Sequence, residues 1–263
     1  MGRKILITSG KGGVGKTTIT AGLGRVLAKH GMSVVLIDGD VGLNNLDATM
    51  DIEYKVEYDL NDYLCGRCRL RQCLVEDDKQ KNLYTLPTIR ESEKTRYLEN
   101  FSDLTDKLAH VFDYCLIDCP AGKEANFKMM LDGASEAIVV VTPHLSAIRD
   151  AGKILSILDG NGISLAGIVI NRIRGDLVMS SKMLSRENIA GLLGRHILGT
   201  IPESDALNIY SSLDLAEIVN KDVYIAIEYL ARNLNDGENY EFDYMAKYRG
   251  VFGSIRRKLK EKF

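Results

Sequence analysis

The sequence predicts an α/β fold with a mostly parallel β-sheet and helices on both faces, and three observations lead to this expectation. Apolar runs typical of strands alternate with segments of helical periodicity along all 263 residues, without a repeat or a low-complexity linker. Runs such as residues 137–141 are apolar on both faces, as in a buried parallel strand. A glycine-rich loop at residues 10–18 joins the first strand to the first helix. A chain of this length can bury the core of one large domain.

The elements follow in order from these patterns. The expected strands cover residues 4–8, 34–37, 82–86, 114–118, 137–142, 165–171 and 196–201. The expected helices cover residues 17–30, 94–110, 126–132, 147–158, 181–193 and 219–233. We expect the packed domain to span residues 1–233. A polar, acidic linker over residues 234–247 and a C-terminal helix over residues 248–263 should follow it.

The loop between the first strand and the first helix fits the phosphate-loop pattern, in which Gly and four residues precede Gly-Lys-Ser/Thr. Glycines allow tight turns, and the N–H groups at the start of a helix favour an anion. Lys16 should reach the β- and γ-phosphates of a nucleotide, and the Thr17 hydroxyl should bind Mg²⁺. A chance glycine-rich turn is the alternative, but the flanking strand and helix favour the phosphate loop. The nucleotide-binding residues predicted here are Gly10, Lys11, Gly12, Gly13, Val14, Gly15, Lys16, Thr17 and Thr18.

Acidic residues end two of the strands expected beside this loop. The strand at 114–118 ends in Asp118, and the strand at 34–37 is followed by Asp38 and Asp40. An isolated Asp at such a place is commonly a turn former or a helix cap. Two of them at the carboxyl edge of a parallel sheet, where ligands bind, favour a metal site.

The charge distribution is uneven, although the formal net charge is −2. Residues 245–263 contain seven Lys or Arg and one Glu, and the rest of the chain contains 27 basic and 35 acidic residues. The apolar residues Val251, Phe252, Ile255, Leu259 and Phe263 share one arc of a helix, and basic residues occupy most of the rest. This pattern predicts a basic amphipathic helix on an anionic membrane surface. A helix docked on its own domain, a solvated tail and a nucleic-acid contact are the alternatives.

The five cysteines and the apolar runs give weaker indications. Cys65, Cys68 and Cys73 have a spacing that can bind metal, but a structural zinc site needs a fourth ligand, so ordinary thiols are favoured. Cys115 alternates into a buried strand and should belong to the core. Apolar runs long enough for a membrane span and a secretory leader are both expected to be missing.

Several separate motifs resemble those of the ParA/MinD ATPases. Lys11 gives the phosphate loop the second lysine of the deviant Walker A motif that marks this family. The resemblance extends over nearly the whole chain and is closest to the MinD branch, the division-site ATPases. The remaining motifs that support it are residues 38–47, 118–122, 146–150, 171–172, 183–188 and 201–203, together with the amphipathic tail.

The resemblance implies a P-loop NTPase fold of the SIMIBI type and a role for each matching residue. Two ATP-bound subunits would dimerise face to face, with Lys11 reaching the phosphates bound by the other subunit. Asp40 would position the attacking water and contribute to the metal site, while Asp118 would be the Walker B acid. The positions that would form the nucleotide pocket are Asn171, Arg172 and Pro202. The positions that would form a surface for protein partners are Arg149 and Asp150.

The implied cofactors and partners are ATP, Mg²⁺, a second copy of the chain, the division inhibitor MinC, MinE or another polar topological factor, and anionic lipids at the inner face of the bacterial membrane. Three other classes compete with this reading. A ParA-type partition ATPase would bind DNA through a basic body, but this body is acidic. A flagellar-number ATPase shares the tail. An electron-transfer or metallochaperone ATPase needs cysteines elsewhere in the domain.

Overall fold

A computed structural model describes residues 1–39, 45–88, 101–120, 125–204, 221–250 and 253. Eight strands form one sheet in these residues, in the spatial order β3-β4-β2-β5-β1-β6-β7-β8. Every neighbouring pair is parallel except β3 and β4. The strands are β1 (Arg3–Thr8), β2 (Val34–Asp38), β3 (Val75–Glu76), β4 (Leu83–Leu86), β5 (Tyr114–Asp118), β6 (Glu136–Val141), β7 (Ser164–Ile173) and β8 (Ile197–Pro202). The predicted fold class is confirmed.

Helices cover both faces of this sheet, and crossover segments join its parallel strands. They are α1 (Lys16–Lys29), α2 (Asn45–Met50), α3 (Leu60–Leu64), α4 (Leu70–Cys73), α5 (Phe101–Ala109), α6 (Ala125–Asp132), α7 (Leu145–Gly160), α8 (Gly175–Met179), α9 (Arg186–Leu193) and α10 (Lys221–Asp236). Single 3₁₀ turns lie at Glu53–Lys55 and Ala246–Tyr248.

Two hydrophobic clusters form the core because successive side chains of a strand point to opposite faces. In β1, Leu6 belongs to the cluster that includes residues of α5, α6 and α7. Ile5 and Ile7 belong to the other cluster, which includes residues of α1 and α10. The central strands are therefore apolar on both faces. For this reason their sequences are continuous apolar runs, from which the strands were predicted.

The structure differs from the sequence prediction mainly in short elements. The predicted helix over residues 181–193 begins later, at α9, because Ser181 has a φ of 57°. Ser185 then caps the helix by accepting a hydrogen bond from the Asn188 N–H at 3.2 Å. The strand β3 and the helices α2, α3, α4 and α8 were not predicted. The start of the helix predicted over residues 94–110 lies outside the described residues.

The segment predicted as an acidic linker has contacts with the folded body. Helix α10 extends to Asp236, and beyond it Tyr244 and Tyr248 are each 4 % exposed. The backbone N–H of Arg186 donates to the Tyr244 hydroxyl at 3.3 Å, and Lys247 pairs with Asp222 at 3.1 Å. The three-part domain division stays a prediction. In the structure, residues 237–250 pack against α8, α9 and α10.

None of the described helices combines the length and the apolar character that a membrane crossing requires.

Candidate functional site

The phosphate loop lies at the carboxyl edge of the sheet, between β1 and α1. Gly13 and Gly15 adopt positive φ angles of 72° and 96°. Glycine reaches this region without the steric cost that a side chain imposes. A Cβ atom on Gly15 would also collide with the side-chain amide of Asn171. The loop conformation therefore depends on glycine at this position for two separate reasons.

Lys16 and Thr17 begin α1 at the centre of the site. Lys16 is only 9 % exposed, so most of its side chain is shielded from solvent. The Thr17 hydroxyl donates to Asp118 Oδ2 at 2.6 Å, and the Thr20 hydroxyl lies 3.5 Å from Asp118 Oδ1. Asp118 is buried at the end of β5, in register with Ile7 of β1. The tertiary structure thus joins two residues that are 101 positions apart.

These groups fit a magnesium ion. A threonine hydroxyl and a carboxylate are hard oxygen ligands, which Mg²⁺ prefers. They lie in contact with each other and next to the start of α1, where a nucleotide phosphate would bind. The predicted metal residues Thr17 and Asp118 are therefore brought together.

The two other acids have different outcomes. Asp38 is aligned with Asp118 in neighbouring strands and is buried. Its Oδ2 accepts the backbone N–H of Leu46 at 3.3 Å, so it helps to hold the start of α2 against the sheet. Asp40, which was predicted to be catalytic and a metal ligand, lies outside the described residues.

The residues predicted to surround the base lie on the other side of the loop. The Asn171 amide donates from Nδ2 to the Val14 carbonyl at 2.8 Å, and the Arg172 N–H donates to Asn171 Oδ1 at 3.0 Å. Arg172 has a φ of 61°, an unusual conformation for a residue with a side chain. Pro202 is buried at the end of β8, in register with Ile173. All three lie at the carboxyl ends of β7 and β8, and Asn171 connects that edge to the phosphate loop.

The predicted partner surface begins beside the same loop. A Cβ atom on Gly10 would collide with the backbone of Asp150 in α7, so the helix and the loop are in close contact. Lys11 and Arg149 are exposed. Asp150 pairs with Lys153 at 2.8 Å, and this hydrogen bond is the main reason that the pKa of its carboxyl is lowered, with a smaller contribution from the charge of Lys11. Lys11, within the phosphate loop, therefore lies near Asp150 of this surface.

Two residues of the site were not singled out from the sequence. Thr20 places a second hydroxyl near Asp118, and the Ser9 hydroxyl donates to the Lys11 carbonyl at 2.8 Å. Thr20 lies one helical turn after Thr17, so the spacing of the two threonines on one helix face could have indicated it. No comparable signal marked Ser9. The predicted membrane residues Phe252, Ile255, Leu259 and Phe263 lie outside the described residues.

Comparison with known proteins agrees with this geometry. Residues 5–215 match the model of the CobQ/CobB/MinD/ParA nucleotide binding domain. A septum site-determining protein MinD of Synechocystis sp. is 38 % identical over 264 residues, covering 98 % of this chain and 99 % of the relative.

Two solved structures share the fold over most of their length. The MinD chain of a MinC:MinD cell division protein complex from Aquifex aeolicus has a TM-score of 0.81 and 36 % identity, covering 90 % of this chain and 97 % of that one. MinD of Pyrococcus horikoshii complexed with Mg-ADP has a TM-score of 0.80 and 28 % identity, covering 89 % and 96 %. With its phosphate loop, the contact of Thr17 with Asp118 and these likenesses, the chain belongs to the CobQ/CobB/MinD/ParA nucleotide-binding family of P-loop NTPases and, within it, to the MinD septum site-determining proteins.

Proposed function

We propose that this chain is an ATPase that dimerises when it binds ATP and attaches to the membrane through its C-terminal helix. At the membrane the chain recruits MinC to position the division site. ATP hydrolysis then releases the chain from the membrane. One observation carries the proposal. The phosphate loop has one nearly buried lysine, Lys16, and one exposed lysine, Lys11, which lies beside the Arg149-Asp150 surface. The buried lysine suits the nucleotide of its own subunit, and the exposed one suits a nucleotide held by a partner.

Different residues in and beside the loop would bind the phosphates and the magnesium ion of a nucleotide. The loop amides and Lys16 would bind the β- and γ-phosphates, as in other phosphate loops. Thr17 and Asp118 would hold Mg²⁺, directly and through water, and Asp40 would join them there and orient the attacking water. Bound Mg²⁺ would neutralise negative charge on the phosphates. The contact of Asp118 with Thr17 supports this arrangement, since it keeps both oxygens in place before any ligand arrives.

The base would lie on the β7 and β8 side of the loop, against Asn171, Arg172 and Pro202. The hydrogen bond from Asn171 to Val14 supports this assignment, because it places the amide beside the loop. Gly10, Gly12, Gly13, Gly15 and Thr18 would complete the phosphate-binding backbone. The Mg-ADP complex of the Pyrococcus horikoshii relative supports a nucleotide and a magnesium ion as the ligands of this chain.

Lys11 would act across the dimer interface in the manner of an arginine finger supplied in trans. A cation placed there stabilises the charge that develops on the transferred phosphoryl group and accelerates hydrolysis by roughly 10³- to 10⁵-fold in related systems. An isolated subunit would lack this charge, so hydrolysis would wait for the dimer.

Membrane attachment would follow from the same dimerisation. A single short helix with Phe252, Ile255, Leu259 and Phe263 on one face should bind anionic lipid weakly. Two linked copies bind much more tightly through effective concentration. Dimerisation and membrane binding would then favour each other reciprocally. The protein would be cytoplasmic and peripheral at the inner face of the cell membrane.

The partners would meet the dimer near the phosphate loop. The Arg149-Asp150 surface lies on the first turns of α7, in close contact with the loop, so its shape can report the nucleotide state. The MinC:MinD complex of the Aquifex aeolicus relative supports MinC as one partner. MinE or another polar topological factor would be the second.

The Lys11→Ala variant tests the central step. ATP hydrolysis should fall by about 10³-fold or more and the ATP-dependent dimer should be lost in analytical ultracentrifugation, while ADP binding by the monomer should persist. Lys107→Ala is the control. This lysine lies in the last turn of α5, and the Ala109 carbonyl that ends α5 accepts a hydrogen bond from the Gly2 N–H, just before β1. The lysine is therefore at the amino edge of the sheet, opposite the phosphate loop. A Lys11→Ala variant that hydrolyses ATP and dimerises normally would overturn the proposal.

Sedimentation with anionic liposomes tests membrane attachment. Binding should be strong with ATP and weak with ADP, and replacing Phe252 and Ile255 by Asp should abolish it. Neutral liposomes are the control for the charge contribution. Equal binding in the two nucleotide states would contradict the coupling. Binding to DNA instead of lipid would favour a partition ATPase.

A further inference from the structure

We propose that Cys68 and Cys73 form a thiol pair that a small-molecule disulfide converts reversibly to an intramolecular disulfide. The two Sγ atoms lie 3.0 Å apart, so a modest movement brings them to the roughly 2.0 Å of a disulfide. This modification site does not rest on the proposed function, because the pair lies on the α3–α4 hairpin and not in the nucleotide site.

Hydrogen bonds hold the turn between the two cysteines in a conformation that suits disulfide formation. The Arg69 N–H donates to Gln72 Oε1 at 3.0 Å, and the Gln72 N–H donates to the Arg69 carbonyl at 2.8 Å. These reciprocal bonds fix the first turn of α4 and hold Cys73 facing back towards Cys68. Little conformational freedom is therefore lost when the disulfide forms, and proximity favours the step.

Cys65 does not belong to this pair. Its Sγ donates to Asn61 Oδ1 at 3.5 Å, one helical turn earlier in α3. Among the residues that the structure describes, no group of three or more His, Cys, Asp and Glu side chains is arranged to hold a metal. The Cys65 Sγ contacts Asn61 and the Cys68 Sγ contacts Cys73, so these contacts favour two-thiol chemistry at Cys68 and Cys73.

The two sulfur atoms differ in access. Cys73 is fully buried and Cys68 is partly exposed. Burial, followed by the hydrogen bond with Cys68, raises the pKa of the Cys73 thiol, so Cys73 stays protonated at neutral pH. Cys68 is consequently the sulfur that reacts first with a reagent from solution.

The surface around Cys68 favours an anionic reagent. Arg67, Arg69 and Arg71 are all exposed, and Arg67 is paired with Asp62 at 2.8 Å. Oxidised glutathione is a disulfide with several carboxylates, so these guanidinium groups should attract it.

The reaction balances with oxidised glutathione as the electron acceptor. The Cys68 thiolate attacks one sulfur of the disulfide, and one glutathione thiolate leaves and takes up a proton. Cys73 then loses its proton to water and attacks Cys68 Sγ, which breaks the mixed disulfide and releases the second glutathione. Two electrons pass from the protein to the reagent, and the protein loses two hydrogen atoms.

Peptide mapping of the full chain tests the proposal. Reduced protein is equilibrated with oxidised glutathione without oxygen, free thiols are alkylated, and the protein is cleaved at arginine. Arg69 and Arg71 lie between the two cysteines, so a Cys68–Cys73 disulfide joins two separate peptides. We expect this joined species, and we expect dithiothreitol to remove it. Its absence, or a linkage that uses Cys65 equally, would overturn the proposal.

Three variants assign the order of events. Cys73→Ala should accumulate the glutathione adduct on Cys68, because the second attack is lost. Cys68→Ser should accumulate neither an adduct on Cys73 nor a disulfide. Cys65→Ser, the matched control, should react as the parent does, and it keeps the test valid if the buried Cys73→Ala change impairs folding. An adduct on Cys73 in the Cys68→Ser protein would contradict the assignment.

Discussion

The phosphate loop and the segment after α10 are held in place by different means. The loop depends on backbone conformation, with Gly13 and Gly15 at positive φ and no space for a side chain at Gly15. The segment over residues 237–250 depends largely on side chains, through the buried rings of Tyr244 and Tyr248 and ion pairs at the surface. A site that must place several N–H groups around an anion does not tolerate a change in its backbone conformation. A segment docked through side chains can lose single contacts and remain attached.

Among the changes that act within one subunit, the largest expected effect comes from Lys16→Ala. Removing a nearly buried cation from the centre of the loop should reduce ATP hydrolysis by about 10²-fold or more, since a preorganised charge is lost where the phosphates bind. Lys29→Ala on the last turn of the same helix is the control. Steady-state phosphate release measures both. Similar rates for the two variants would mean that the loop does not hold the phosphates.

Gly15→Ala should have the next largest effect, and it tests whether the backbone controls the loop. The positive φ and the collision with Asn171 should lower the free energy of unfolding by about 1–3 kcal/mol. Gly31→Ala is a close control, because Gly31 has a φ of 89° and nothing within 4 Å of the added Cβ. Urea unfolding of the two variants separates strain from collision. Equal losses would show that Asn171 moves aside at no cost.

Tyr244→Phe should have the smallest effect, of about 1 kcal/mol, since it removes one hydrogen-bond acceptor and keeps the buried ring. Burial raises the pKa of the Tyr244 hydroxyl in the folded protein. Above pH 10, the ordinary tyrosine value, the unfolded chain loses this proton first, so stability should fall with rising pH. The variant should show a shallower fall in unfolding experiments between pH 9 and pH 11. An unchanged slope would exclude this tyrosine as the cause.

The same contrast explains how far the sequence could be interpreted. The central strands and α1 were predicted because long apolar runs and a full helical period are local signals. Helices α3 and α8 span five residues each, which is too short for periodicity to appear. The start of α9 was placed too early because the break at Ser181 is a backbone angle, which composition does not reveal.

The candidate site divides in a similar way. The phosphate-loop motif named Lys16 and Thr17, and the strand-end pattern named Asp118. The contact of Asn171 with Val14 joins residues 157 positions apart, so it had no local signal. The packing of Tyr244 and Tyr248 was missed because the polar, acidic residues just before them, at positions 233–241, indicated a linker.

The sequence by itself determined the fold class, the phosphate loop and the presence of a second lysine in it, because each of these depends on residue types at short, regular spacing. The tertiary structure decided which distant groups meet. It joined Thr17 to Asp118, placed Asn171 against Gly15, set Lys11 beside Asp150 and brought Cys68 to Cys73 rather than to Cys65. The strand order and the packing of the helices determine these contacts. The free energy that stabilises this arrangement comes from burying the whole core rather than from any short stretch of chain.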